Sequence, residues 1–162
     1  MPLIRTSPRM LPRDYWVTDA KATYAAEDAD KILGTYYITT NQPGGGAHIC
    51  NCGYVAAPQA RGQGLAAQIC EHSQTEASAL GYKAMQFNFV LASNTGAVKL
   101  WHRLGFETIG TIPDAFVHPQ QGMVDAHVMY KRLNWTQRNA KRSCLLPVPC
   151  RLARPIRTVS PQ

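Results

Sequence analysis

The sequence predicts a mixed α/β domain built on a central mixed, mostly antiparallel sheet. Three observations carry that expectation. The stretches Lys31–Thr40 and Ala47–Ala56 are rich in β-branched and aromatic residues and are joined by a glycine-rich turn, as in a hairpin. The segment Asn51–Ala66, NCGYVAAPQARGQGLA, reads as a strand end, a turn and a helix start. A second strand-to-helix passage, Ala84–Leu104, is followed by two further strand-like runs.

Taken in order, residues 1–20 show no sustained period and read as an irregular arm before a domain spanning 21–133. Ala22–Ala26 reads as a short strand, Glu27–Asp30 as a polar turn, and Lys31–Thr40 as a longer strand. Asn41–Gly46 is a hairpin loop, and Ala47–Ala56 pairs back antiparallel. Pro58 cannot continue a central ladder, so the strand ends there. The helix opening at Arg61–Ala66 runs to about Leu80, with Ala66, Ile69/Cys70, Ser73, Ala77 and Leu80 on one face. Gly81 caps it. Ala84–Ala92 is a strand, and Thr95–Leu104 is a helix capped by Asn94 or Ser93, with Gly105 just past its end. Phe106–Ile112 and Val124–Leu133 are the last strands, separated by a long connection, Pro113–Met123. Residues 134–162 hold four prolines and no acid, and are expected to be a disordered basic tail.

The corner at Arg61–Ala66 has the chemistry of an anion site. A helix start leaves backbone N–H groups unpaired, with the positive end of the dipole behind them. Gly62 and Gly64 carry no Cβ to hold a ligand off the backbone. The pattern is neither the nucleotide P-loop, which needs Gly-Lys-Ser/Thr, nor GxGxxG, which needs glycine at Ala67. The order Pro58-x-x-Arg61-Gly62-x-Gly64-x-Ala66 after a strand resembles motif A of the GNAT family of acetyl-CoA-dependent N-acetyltransferases. Asn94-x-x-Ala97-x-x-Leu100-Trp101-x-x-x-Gly105-Phe106 resembles the family's second motif, which has tyrosine where Trp101 stands. The likeness covers Thr23 to Leu133.

That resemblance implies a GNAT-like acyl-CoA N-acyltransferase fold with a splayed pair of parallel strands, here those ending at Ala56 and Val90. It implies acetyl-CoA as cosubstrate and no metal. The pyrophosphate would lie on Arg61, Gly62, Gln63, Gly64, Leu65 and Ala66. The pantetheine arm would pair with backbone at Tyr54, Val55 and Ala56 and meet Asn94 and Trp101. A β-bulge near Cys52–Tyr54 would supply the splay and aim an N–H at the thioester oxygen. Asn51 and Asn88 are the candidates for holding the acceptor, in an arrangement that resembles the branch with azetidine-2-carboxylate (proline-analogue) acetyltransferases. Trp101 cannot act as an acid near neutral pH, so water, Tyr37 or Tyr54 would protonate the departing thiolate. His118 could serve as a base and Asp125 could anchor it, while Phe116 reads as a lid or core residue. His72 and His102 are expected to be solvated. The strand and two helices with which the family normally begins do not fit into the first 20 residues, which bears on the acceptor wall. A partner chain in a homodimer is one source of that wall.

Charge and cysteines bound the remaining possibilities. The net charge of +7 is concentrated at the ends: residues 1–13 contribute +3 and 134–162 contribute +6, leaving −2 between them. Nucleic-acid binding is therefore confined to weak tail contacts. The five cysteines have neither disulfide-framework nor zinc spacing and are expected to be reduced. Without a membrane span or signal-like core, cytoplasm is the expected compartment. The leading reading is an N-acetyltransferase acting on a small amine, with a small amino acid or analogue preferred. The alternatives are a CoA-binding module with little catalysis and a protein-lysine acetyltransferase.

Overall fold

The computed structural model describes residues 20–28, 31–60, 62–133 and 151–152. Its strands are β1 (Ala22–Asp28), β2 (Lys31–Thr40), β3 (Ile49–Ala56), β4 (Ala84–Leu91), β5 (Glu107–His118), β6 (Gly122–Arg132) and β7 (Arg151–Leu152). Two helices, α1 (Leu65–Ala79) and α2 (Thr95–Arg103), follow β3 and β4. The sheet runs β5-β6-β4-β3-β2-β1-β7, and of its neighbours only β3 and β4 are parallel. This is the mixed, mostly antiparallel sheet expected from the sequence.

Helix α1 covers one face of the sheet. Leu65, Ile69, Cys70, Ser73 and Ala77 form its buried stripe, the spacing of a single apolar helix face. They pack on Tyr36, Ile38, Cys50, Cys52 and Met85 in the core. Gly34 admits Leu65 closely: a Cβ there would stand 3.1 Å from the leucine Cδ2. Both helices end in the same motif. Past α1, the Tyr82 N–H donates to the Ala77 carbonyl and the Gly81 N–H to that of Ser78; past α2, Phe106 reaches Trp101 and Gly105 reaches His102. Gly81 (φ 91°) and Gly105 (φ 85°) supply the left-handed residue this stop requires.

Three expectations change. The long connection Pro113–Met123 is mostly strand: His118 pairs with Gly122, Val117 with Met123 and Phe116 with Val124. Pro113 is accommodated because β5 is an edge strand and the register breaks between Ile112 and Phe116. Asp114, at φ 51°, donates its N–H to Asp125 Oδ1 at 3.0 Å. Second, the bulge lies elsewhere. β2 and β3 pair without a break from Gly34/Ala56 to Thr40/Cys50, so Cys52–Tyr54 is regular. The shift falls on β4, between Phe87 and Val90. Third, within the tail read as structureless, Arg151–Leu152 pairs with Glu27 and Ala26 of β1. The rest of that tail, and the arm before residue 20, lie outside the described residues.

Candidate active site

The parallel pair β3–β4 is joined only at its start. Ile49 pairs with Ala84 and Cys50 with Met85, and there the ladder stops, although β3 continues to Ala56 and β4 to Leu91. Two features hold the strands apart. A wedge of rings fills the space beside them: Tyr54 lies 5.8 Å from Phe87 and 5.3 Å from Trp101, and Phe87 lies 5.2 Å from Trp101 and stacks on Phe106 at 4.3 Å. The β4 bulge at Asn88–Phe89 then bends the far strand away. The splay expected between the strands ending at Ala56 and Val90 is thus present, with a different cause.

The alternation of β3 decides which groups look into the gap. The Asn41 N–H donates to the Ile49 carbonyl and the Ala57 N–H to that of Leu33. Odd-numbered residues of β3 therefore exchange hydrogen bonds with β2, and even-numbered ones aim their backbone the other way. Of the three residues expected to pair with a pantetheine arm, Tyr54 and Ala56 turn their backbone groups to the gap, as does Cys52. Val55 turns its own to β2, so a direct backbone role for it does not fit this ladder.

A cleft of about 490 Å³ occupies the gap, within the usual range for small-molecule sites. Its walls include Asn51, Tyr54, Asn88, Asn94, Trp101 and Tyr37. Asn51 is half-buried, with no hydrogen-bond partner for its amide among the described residues. Asn88 is braced from both sides: its Nδ2 donates to Asn41 Oδ1 at 2.6 Å, and its Oδ1 accepts from Gln86 Nε2 at 2.9 Å. Asn41 carries only a loop signal in the sequence, because nothing local marks a residue whose partner is 47 positions away. Asn94 caps α2, its Oδ1 accepting from the Ala97 N–H at 3.2 Å. Its amide donors remain for a ligand. Trp101 is buried, yet no buried side-chain nitrogen lacks a partner among the described residues. Its indole N–H, which has none, therefore keeps contact with solvent, and the residue lines the cleft.

Tyr54 is placed differently from the expectation of a cleft phenol. Its hydroxyl is directed into the core, 2.7 Å from Ser73 Oγ, and donates to Met85 Sδ at 3.6 Å. Burial raises its pKa well above the usual phenol value, which makes it a poor proton donor. Tyr54 thus serves the cleft through its backbone and ring.

At the corner, Gly62 and Gly64 both adopt φ 76°, and a Cβ on either would meet nothing within 4 Å. Gly64 is the N-cap of α1. Gly62, Gln63 and Gly64 are exposed, while Leu65 is buried as the first residue of the core stripe. Ala66 follows in the first turn, and Arg61 lies outside the described residues. The first-turn N–H groups and an accessible surface meet here, as an anion site needs.

The histidines lie elsewhere, and the described thiols are buried. His118 is half-buried at the β5–β6 turn, where its Nδ1 accepts from the Gln120 N–H. Asp125 braces the β5 bulge and does not anchor that histidine. Phe116 is exposed on β5. His72 is half-buried and engaged where a solvated ring was expected: its Nδ1 stands 2.5 Å from the Tyr36 hydroxyl, and Nε2 lies 3.8 Å from Glu76. Burial lowers its pKa from 6.5, opposed by the Glu76 carboxylate. His102 bonds the Phe106 carbonyl through Nδ1 at 3.0 Å. Cys50, Cys52 and Cys70 are free and buried, and burial pushes the Cys70 thiol up to about 11. Among the described residues, no helix is long and apolar enough to cross a membrane.

Residues 4–106 match the model of the acetyltransferase (GNAT) family. Over 108 residues the chain is 35% identical to the protein named N-acetyltransferase aca1 of Schizosaccharomyces pombe, covering 66% of this chain and 52% of that protein. The chain thus spans about half the length of that curated relative. A GCN5-related N-acetyltransferase from Kribbella flavida superposes with a TM-score of 0.71 at 42% identity, over 75% of this chain and 74% of that one. An acetyltransferase structure from Salmonella typhimurium with its cofactor acetyl-CoA shares the fold at 19% identity, with a TM-score of 0.62 over 75% of this chain and 69% of that one. With a family model spanning more than half its length and a sheet that splays beside a glycine corner, the chain belongs to the GNAT family of acetyltransferases.

Proposed function

We propose that the protein is an N-acetyltransferase that moves the acetyl group of acetyl-CoA to the amine of a small amino acid or analogue. The observation that carries this reading is the ladder that stops at Cys50/Met85 and leaves gap-facing backbone beside a cleft lined by Asn51 and Asn88. Family membership and the acetyl-CoA bound in the Salmonella relative support the cosubstrate.

In this reading the pyrophosphate lies on the corner from Arg61 to Ala66. The two amides of the pantetheine arm pair with Tyr54 and Ala56 and with the Asn94 amide. The N–H of Cys52 then meets the thioester oxygen, where charge grows as the tetrahedral state forms. Asn51 and the braced Asn88 hold the acceptor, offering amide donors to its carboxylate and acceptors to its amine. The resemblance to azetidine-2-carboxylate acetyltransferases supports an acceptor of that size. The amine attacks in its neutral form, and thiolate departure is eased by a thiol pKa of ~8.5. A cytoplasmic setting fits both the free thiols and the cosubstrate.

Thiol release from acetyl-CoA across a panel of amines tests the proposal. Turnover with small amino acids or cyclic imino acids, and none with a lysine peptide, is expected. Saturable CoA binding without thiol release on any amine would favour the CoA-binding module, for which Trp101 in place of tyrosine is the motivating residue. Turnover on the peptide alone would favour a protein-lysine acetyltransferase.

A further inference from the structure

We infer that Tyr37 is the proton donor to the departing thiolate, and that Gly53 is glycine in order to seat it. The inference rests on the acetyltransferase reading and names the group that reading leaves unassigned. Transfer forms a C–N bond and breaks a C–S bond. The sulfur leaves with the bonding pair, and the nitrogen carries one proton too many. An acid that serves the sulfur must have an O–H on the cleft. The indole of Trp101 cannot release its proton near neutral pH. The Tyr54 hydroxyl is held in the core by Ser73 and Met85.

Tyr37 meets the requirement by crossing the sheet. It stands on β2 directly opposite Gly53 of β3. A Cβ built on Gly53 would fall 2.7 Å from the Tyr37 Cζ and 2.8 Å from its hydroxyl oxygen, closer than side-chain atoms approach one another. The phenol ring therefore lies across β3, in the space that the missing Cβ leaves, and lines the cleft beyond. Backbone conformation does not explain this glycine, since Gly53 is not among the residues with positive φ. The packing of Tyr37 does. Gly53 is flanked by Cys52 and Tyr54, whose backbone groups face the gap, so the ring passes over the stretch of β3 assigned to the thioester end.

The step balances without a further reagent. The amine lone pair attacks the thioester carbon, the C–S pair collapses onto sulfur, and the Tyr37 O–H protonates it. The proton shed by nitrogen passes through water to the phenolate and restores it.

The test compares the wild type with Tyr37→Phe, which keeps the ring and removes the hydroxyl. Acetyl-CoA and acetyl-seleno-CoA serve as donors, because a selenolate leaves without needing a proton. With the most active amine of the panel, Tyr37→Phe is expected to lower kcat about 10- to 100-fold on the thioester. The loss should fall to less than about threefold on the selenoester, with acetyl-CoA affinity and Tm unchanged. Gly53→Ala, by displacing the ring, should lower kcat similarly, and the double variant should lose no more than either single one. Unchanged turnover in Tyr37→Phe, or an equal loss on both donors, overturns this assignment while the acetyltransferase reading stands. A wild type that acetylates no amine of the panel overturns both.

Discussion

One pair of strands behaves in two ways along its length. At the closed end, Ile49 and Cys50 pair with Ala84 and Met85, and Cys50, Ala84 and Met85 are essentially solvent-free. A few residues on, Asn51 and Asn88 stand apart with a cleft between them. The closed end is small and apolar, and ladder hydrogen bonds together with burial hold it shut. The open end carries amides, a bulge and a cluster of three rings, Tyr54, Phe87 and Trp101, in mutual contact. The difference teaches that the gap is built in: its walls are wedged by Tyr54, Phe87 and Trp101, and its exposed backbone is shielded from aggregation because it lies within the sheet and not at an edge.

The wedge is the place to break this contrast hardest. Phe87→Ala removes the ring that touches Tyr54, Trp101 and Phe106. It should cost about 3–5 kcal/mol of stability in denaturant titration, and surviving protein should bind CoA poorly. The corner comes next. Gly64→Glu puts a carboxylate and a Cβ at a φ of 76°, beside the proposed diphosphate. A loss of about 100-fold in CoA affinity by calorimetry is expected, roughly 2.7 kcal/mol, with the closed end intact.

Substitutions at the amides should separate function from folding. Asn88→Ala or Asn51→Ala should lower kcat/KM for the acceptor about 10- to 30-fold, or about 1.4–2 kcal/mol, with little change in Tm. Asn41→Ala, acting only through the 2.6 Å bond that orients Asn88, should cost about threefold. A comparable loss of Tm in these variants would mean that the amides are structural.

The smallest effect belongs to His72, far from the cleft. Its folded pKa is depressed by burial, so below pH ~6.5 the unfolded chain binds more protons than the folded one. The contribution of His72 is therefore complete above about pH 6.5 and declines as pH falls. Replacing His72 with Gln should flatten the slope of Tm against pH below that value.

The sequence showed the fold where its signals are local. The glycines after both helices, the Pro58 break and the period of α1 from Ile69 to Ala77 mark what the structure contains, although Leu65 takes the place of Ala66 in the buried stripe and Leu80 is exposed. The signal failed where partners are distant. Pro113 suggested a loop, yet its edge position lets β5 continue past it. Gly53 suggests a bulge on β3, but it admits the Tyr37 ring without disturbing the register. The bracing of Asn88 by Asn41, the inward turn of the Tyr54 hydroxyl and the burial of His72 against Tyr36 depend on which side chains meet across strands and helices. A single sequence without its pairing does not encode that visibly.

Amide hydrogen exchange of β3 with and without acetyl-CoA tests the central claim most directly. Cys52, Tyr54 and Ala56 should become strongly protected when acetyl-CoA binds, while Val55, already bonded to β2, should hardly change. Exchange at Tyr54 and Ala56 that is indifferent to saturating acetyl-CoA would contradict the account.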